Sequence, residues 1–139
     1  MTTTTTPQPS ENVTLARRFI EAVESGATGE RLAAFLHDDV EQLELPNRLF
    51  PEGARRDRAA ILASAEKGQK VLRSQRYEIV NLVADGKHVA IEMTWRGELA
   101  VPIGTKQPGD PLSGRFAFFL EIEDGRIRSM RNYDCYDAS

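Results

Sequence analysis

The stretch DGKHVAIEMTWRGEL, residues 85–99, decides how this chain folds. Its opening pair, Asp85-Gly86, predicts a tight hairpin turn, because glycine readily takes the positive φ such turns need. Val89, Ile91, Met93 and Trp95 then alternate strictly with Ala90, Glu92, Thr94 and Arg96. Successive side chains of a strand point to opposite faces, so this alternation predicts a strand with one apolar and one polar face. Upstream, Gln75 to Ala84 carries Tyr77, Ile79, Val80, Leu82 and Val83 and predicts the other arm of the hairpin. Downstream, a Pro/Gly-rich loop from Ala100 to Leu112 leads into FAFFLEIEDGRIRSMRNYDCYD, residues 116–137. That stretch predicts a strand over Arg115 to Glu123, a turn at Asp124-Gly125 and a last strand over Ile127 to Tyr136. Sequential strands joined by tight turns pair antiparallel.

The half of the chain before these strands has a helical rhythm. Val13, Ala16, Ile20 and Val23 recur at helical spacing, with Leu15 and Phe19 beside them and Ser10 as N-cap; Ser25-Gly26 ends the helix. Glu30 to Leu36 predicts a second, short helix, ended by Asp38 and Asp39. Val40 to Leu45 predicts a strand closed by Pro46-Asn47. Asp57 is placed to cap a third helix running to about Leu72, whose last turn Gly68 weakens. A helix block ahead of a strand block is an α+β pattern, not an alternating one. The expected architecture is a curved antiparallel or mixed sheet packed on three N-terminal helices around one apolar pocket. Residues 1–10, MTTTTTPQPS, are expected to be a floppy tail, and residues 11–137 one domain.

Composition narrows the function. A 139-residue chain can bury enough surface for a core and a cavity. Its net charge of −3 argues against nucleic acid as a partner, because phosphate binding needs a basic face. Cys135 is the one cysteine, which excludes an internal disulfide and a cysteine-based zinc site. The first residues lack the basic and apolar segments of a secretory signal, and no apolar run reaches the length that spans a bilayer. A cytoplasmic setting without membrane contact is therefore expected. No Gly-rich phosphate loop, GxSxG elbow or HExxH occurs, so any chemistry is expected to run without a cofactor. His37, Asp38 and Asp39 are consecutive and point in different directions, so no metal site is expected.

The two quoted stretches, together with the element order, resemble the nuclear-transport-factor-2-like superfamily and, within it, the SnoaL-like polyketide cyclases, over about residues 11–137. Proteins of this kind include ring-closing cyclases, ketosteroid isomerases, limonene-epoxide hydrolases, dehydratases and proteins with no chemistry, so the resemblance speaks to fold first. In the cyclases an aspartate on the last strand works as acid or base. The register places Asn132 there, with Asp134 two residues on and on the same face. In the ketosteroid isomerases a first-helix tyrosine donates to the oxyanion; Phe19 stands there. Their general base lies where the first strand meets a proline, which puts Leu45 at that place and turns Glu44 to the opposite face. The Asp-Arg-Asp group of the epoxide hydrolases has no clear copy. The resemblance also implies a homodimer formed sheet to sheet.

The candidate catalytic residues are Asp134, Asn132 and Glu92. A carboxylate against apolar walls has a raised pKa and suits proton transfer, and a neighbouring Asn amide can donate to a developing oxyanion. The other reading of Asp134 is a rim carboxylate paired with Arg128 or Arg131. Glu92, Thr94 and Arg96 share the polar face of their strand; if it lines the pocket, Glu92 is a second carboxylate and Arg96 a substrate clamp. If Met93 and Trp95 line it instead, the polar face lies outside or at a dimer contact. The expected pocket wall comprises Trp95, Tyr133, Arg96, Phe19 and Met130. The function these residues suggest is a cofactor-independent enzyme doing acid/base chemistry on a small apolar carbonyl compound, of cyclase, isomerase or dehydratase type. The alternative is a non-catalytic module that binds a small ligand or dimerises.

Overall fold

The computed structural model describes residues 9–138, so most of the expected tail lies outside the described residues. Helix α1 spans Pro9–Glu24, α2 Gly29–Ala33 and α3 Arg58–Val71. The strands are β1 (Leu36–Glu44), β2 (Ala54–Arg56), β3 (Leu72–Asp85), β4 (His88–Leu99), β5 (Pro111–Glu123) and β6 (Arg126–Tyr136). They form one sheet in the order β2-β1-β6-β5-β4-β3. Every neighbouring pair is antiparallel except β1 and β6, which run parallel. This is the nuclear-transport-factor-2-like α+β cone, a curved mixed sheet carrying three helices on one face.

Several boundaries move from their sequence expectation. Proline has no N–H to lose in the first turn of a helix, and α1 starts at Pro9 with Ser10 inside it. The second helix ends at Ala33, because Leu36 is drawn into pairing opposite Ile127 and the Ile127 N–H donates to the Phe35 carbonyl. The run that includes Asp38 and Asp39 is thus strand. The three residues of β2 went unforeseen, since so short a strand leaves no periodicity. The first hairpin turn is Gly86-Lys87, one residue later than expected, with Asp85 opposite His88. Asp124-Gly125 is the second turn, and both residues have positive φ. Asp57 caps α3, its carboxylate accepting from the Ala60 N–H at 2.9 Å.

The apolar face of β4 turns to the helices. Val89, Ile91, Met93, Trp95 and Leu99 are buried, as are Phe116, Phe118, Leu120 and Ile122 of β5. Ala16, Phe19 and Ile20 of α1 cover them, with Phe19 edge-on to Phe35 at 5.9 Å. The opposite face of the sheet carries no helix among the described residues. Val80, Val83, Phe119 and Tyr133 are exposed there, Tyr133 lies edge-on to Phe119 at 5.6 Å, and Arg131 sits over the Phe119 ring.

Candidate functional site

Between the open end of the sheet and α3 lies a cavity of about 770 Å³, within the range of small-molecule sites. Its wall is aromatic on the sheet side, formed by Tyr77 of β3, Trp95 of β4, Phe116 of β5 and Tyr136 of β6. Trp95 and Phe116 stack at 5.1 Å, and Tyr136 meets both edge-on, at 5.6 and 5.3 Å. Tyr77 meets Phe116 edge-on at 6.2 Å. Trp95 lies over Gly97, where a Cβ would come within 2.7 Å of the indole. The indole N–H donates to Gln75 Oε1 at 3.0 Å, and Gln75 in turn donates to the Val23 carbonyl. The β4 strand and the end of α1 thereby fix the tryptophan.

Asp134 enters the cavity between Phe116, its cross-strand partner, and Tyr136. Its Oδ1 is buried and has no hydrogen-bond partner among the described residues. Burial pushes its pKa up from 3.8 to about 7; the negative charge of Glu44 adds to the rise and Arg56 opposes it. Burial also raises the hydroxyls of Tyr77 and Tyr136 above the ordinary phenol range, and Asp134 adds to both shifts. Both tyrosines are therefore neutral O–H groups at physiological pH.

Glu44, the last residue of β1, is the second carboxylate in the wall, buried to 7% exposure. Arg56 Nη1 donates to Glu44 Oε1 at 2.8 Å, and Asn47 Nδ2 donates to Oε2 at 2.8 Å. The same Arg56 reaches Gln42 Oε1 at 3.2 Å, and Gln42 Nε2 donates to Asn132 Oδ1 at 2.8 Å. The short strand β2 exists to deliver Arg56 to this chain of bonds. Gly53 lets the connecting loop close: its φ is +70°, and a Cβ there would lie 2.5 Å from the Glu44 carbonyl.

Of the residues singled out from sequence, Asp134 and Trp95 line the cavity. Asn132 is buried on the same face but lies in the network with Gln42, off the cavity wall. Phe19 and Met130 are packed into the core away from the wall. Glu92, Arg96 and Tyr133 are exposed on the outer face, which corrects the expectation that they reach the pocket. The burial of Met93 and Trp95 decides this, since neighbours on a strand cannot share a face. Glu44 is a second correction, because it faces inward and Leu45 does not take its place. Among the described residues no group of three or more His, Cys, Asp or Glu is placed to hold a metal ion. No helix among them is long and apolar enough to cross a membrane.

Comparison with known proteins agrees with this fold. The family model described as SnoaL-like domain matches residues 16–130. Among solved structures, a candidate hydroxylase, AclR from Streptomyces galilaeus, superimposes with a TM-score of 0.75 at 16% identity, covering 91% of this chain and 90% of that one. A candidate polyketide cyclase, IdmH from Streptomyces antibioticus, gives 0.71 at 22% identity over 92% of each chain. A candidate ketosteroid isomerase from Kribbella flavida gives 0.61 at 20% identity, over 94% of this chain and 80% of that one. Among curated proteins none matches. At these identities the likeness is one of fold, and the three neighbours carry three different descriptions.

Proposed function

This chain belongs to the SnoaL-like domain family, and from that premise we propose that it is a cofactor-independent enzyme doing acid/base chemistry on a small, largely apolar carbonyl compound. The observation that carries this reading is the Asp134 carboxyl, whose buried Oδ1 has no partner among the described residues of an aromatic cavity and which is poised to titrate near pH 7. A group whose pKa lies near the working pH can both take and return a proton, which cyclisation, isomerisation and dehydration require. Glu44 has both oxygens engaged by Arg56 and Asn47, so Asp134 is the carboxyl with an oxygen left for the ligand. Tyr77 and Tyr136, held neutral, can donate to an enolate oxygen as it develops.

The test is a panel of β-dicarbonyl and enone compounds, followed by NMR for solvent deuterium uptake and for product. Asp134→Asn is expected to lower exchange or turnover by about a hundredfold. Unchanged turnover in this variant would remove Asp134 from the chemistry. Binding across the panel with no exchange or product would leave the second reading, a ligand-binding module, which the diversity of fold neighbours favours.

The same proposal includes a homodimer meeting through the outer sheet face, supported by the exposed Val80, Val83, Phe119 and Tyr133. Sedimentation at micromolar concentration is expected to give a dimer, and Phe119→Glu a monomer. A monomeric unaltered chain would end this part of the proposal. A reducing, cytoplasmic location also belongs here, supported by the solitary cysteine.

A further inference from the structure

Three acids, Glu24, Glu44 and Asp134, and three cations, Arg56, Lys67 and Arg73, line the cavity. Arg56 is occupied by Glu44 and Gln42. Lys67 of α3 and Arg73 of β3 are exposed at the rim, the latter 3.6 Å from Glu98. Glu24 at the end of α1 accepts from the Tyr77 N–H at 2.8 Å. Asp134 is left with a buried oxygen that no described group satisfies. Five rings border the same space, Phe50 among them with the Arg56 guanidinium 5.3 Å from its centroid, and the face of an aromatic ring is the negative end of its quadrupole. A carboxylate and several rings around one volume attract a positive centre that is only weakly hydrated.

We propose that the molecule this cavity takes carries a protonated or quaternary ammonium group, seated against Asp134 and walled by Tyr77, Trp95, Phe116 and Tyr136. The inference rests on the reading of the cavity as the ligand site and adds the charge of its occupant. It also gives the ligand a part in the chemistry. An ammonium beside Asp134 favours the ionised carboxylate, so binding releases a proton and leaves Asp134 ready as a base. The charged groups that set this titration are Glu44 from β1, which raises it, and Arg56 from β2, which lowers it, while Tyr77 from β3 and Tyr136 from β6 share the cavity wall with Asp134. Of these, Glu44 is already paired and the tyrosines stay neutral, so Asp134 is the group that responds.

The experiment compares benzyltrimethylammonium with its neutral isostere neopentylbenzene, by Trp95 fluorescence and by calorimetry in buffers of different ionisation enthalpy. At pH 8 the cation is expected to bind roughly tenfold or more tightly than the isostere. At pH 7 its binding is expected to release roughly half a proton, while the isostere releases none. Asp134→Asn should abolish the release and most of the preference. Tyr136→Leu, which keeps an apolar side chain and removes the ring, should weaken the cation more than the isostere. Equal affinities, or a preference for the isostere, would overturn the ammonium assignment while leaving the cavity as a ligand site. Cation binding that Asp134→Asn leaves unchanged would overturn it as well. Failure of both probes to bind would overturn this inference and the ligand-site reading together.

Discussion

Arg56→Met is expected to destabilise the fold by about 3–5 kcal/mol at pH 8, the range for removing one partner of a buried ion pair. Arg56 and Glu44 meet at 2.8 Å with side chains only 11% and 9% exposed. Their attraction offsets the loss of water around two charges. Removing the guanidinium leaves the carboxylate buried with Asn47 as its remaining donor. The same variant frees the side chain of Gln42 and with it the support of Asn132. Urea unfolding checks the size, and a double variant checks the cause. Glu44→Gln with Arg56→Met removes both charges, so most of the loss should be regained. A single variant within about 1 kcal/mol of the unaltered chain would show that the pair contributes little.

Asp134→Asn is expected to act in the opposite direction and only at high pH. Below pH 3.8 the aspartate is protonated in both the folded and the unfolded chain, so its titration leaves stability unchanged. Between 3.8 and about 7 the folded chain keeps a proton that the unfolded chain has released. Stability therefore falls as pH rises through that window, and the full cost is present above it. At full value the displacement amounts to about 4 kcal/mol. The side chain is only partly buried and water screens it, so about 2–3 kcal/mol is the expected gain for the variant at pH 8. The gain should shrink steadily and vanish near pH 4. Unfolding curves at pH 4, 6 and 8 read this directly. A gain that does not change with pH would mean that Asp134 titrates normally.

The two effects are linked through the cavity. Arg56 is the one influence that lowers the Asp134 pKa, and Glu44 raises it. The Arg56→Met variant should thus push Asp134 higher still, and the double variant should bring it back. The network beneath the site and the proton at its centre are parts of one electrostatic arrangement.

Much of this fold was legible in the chain. The alternation from Val89 to Trp95 marked the strand β4, because a period of two has one structural meaning, and left open which of its two faces looks into the pocket. Asp124-Gly125 set the second hairpin, since the turn demands positive φ at both positions. Asp57 announced α3 as an N-cap. Asp134 stood out as the acid between the two tyrosines of the last strand, Tyr133 and Tyr136. These are local signals, carried by the conformational preferences of a few neighbouring residues.

What the tertiary structure decided is which faces look inward at the two places that make the site. On β6, Ile127 is buried, yet the inward residues after it are Met130, Asn132, Asp134 and Tyr136. The pairing with β5 slips between Glu121 and Ile122, where the intervening Arg128 has no partner of its own, and one extra residue reverses the face of everything beyond it. Asp134 looks into the cavity because of that bulge. On β1, the register against β6 shifts between Leu36 and Glu41, and Glu44 comes to face Arg56. Neither irregularity has a signature in the residues around it. Each arises because strands distant in sequence must match their curvature and hydrogen bonds across the sheet, and that requirement acts only on the folded chain.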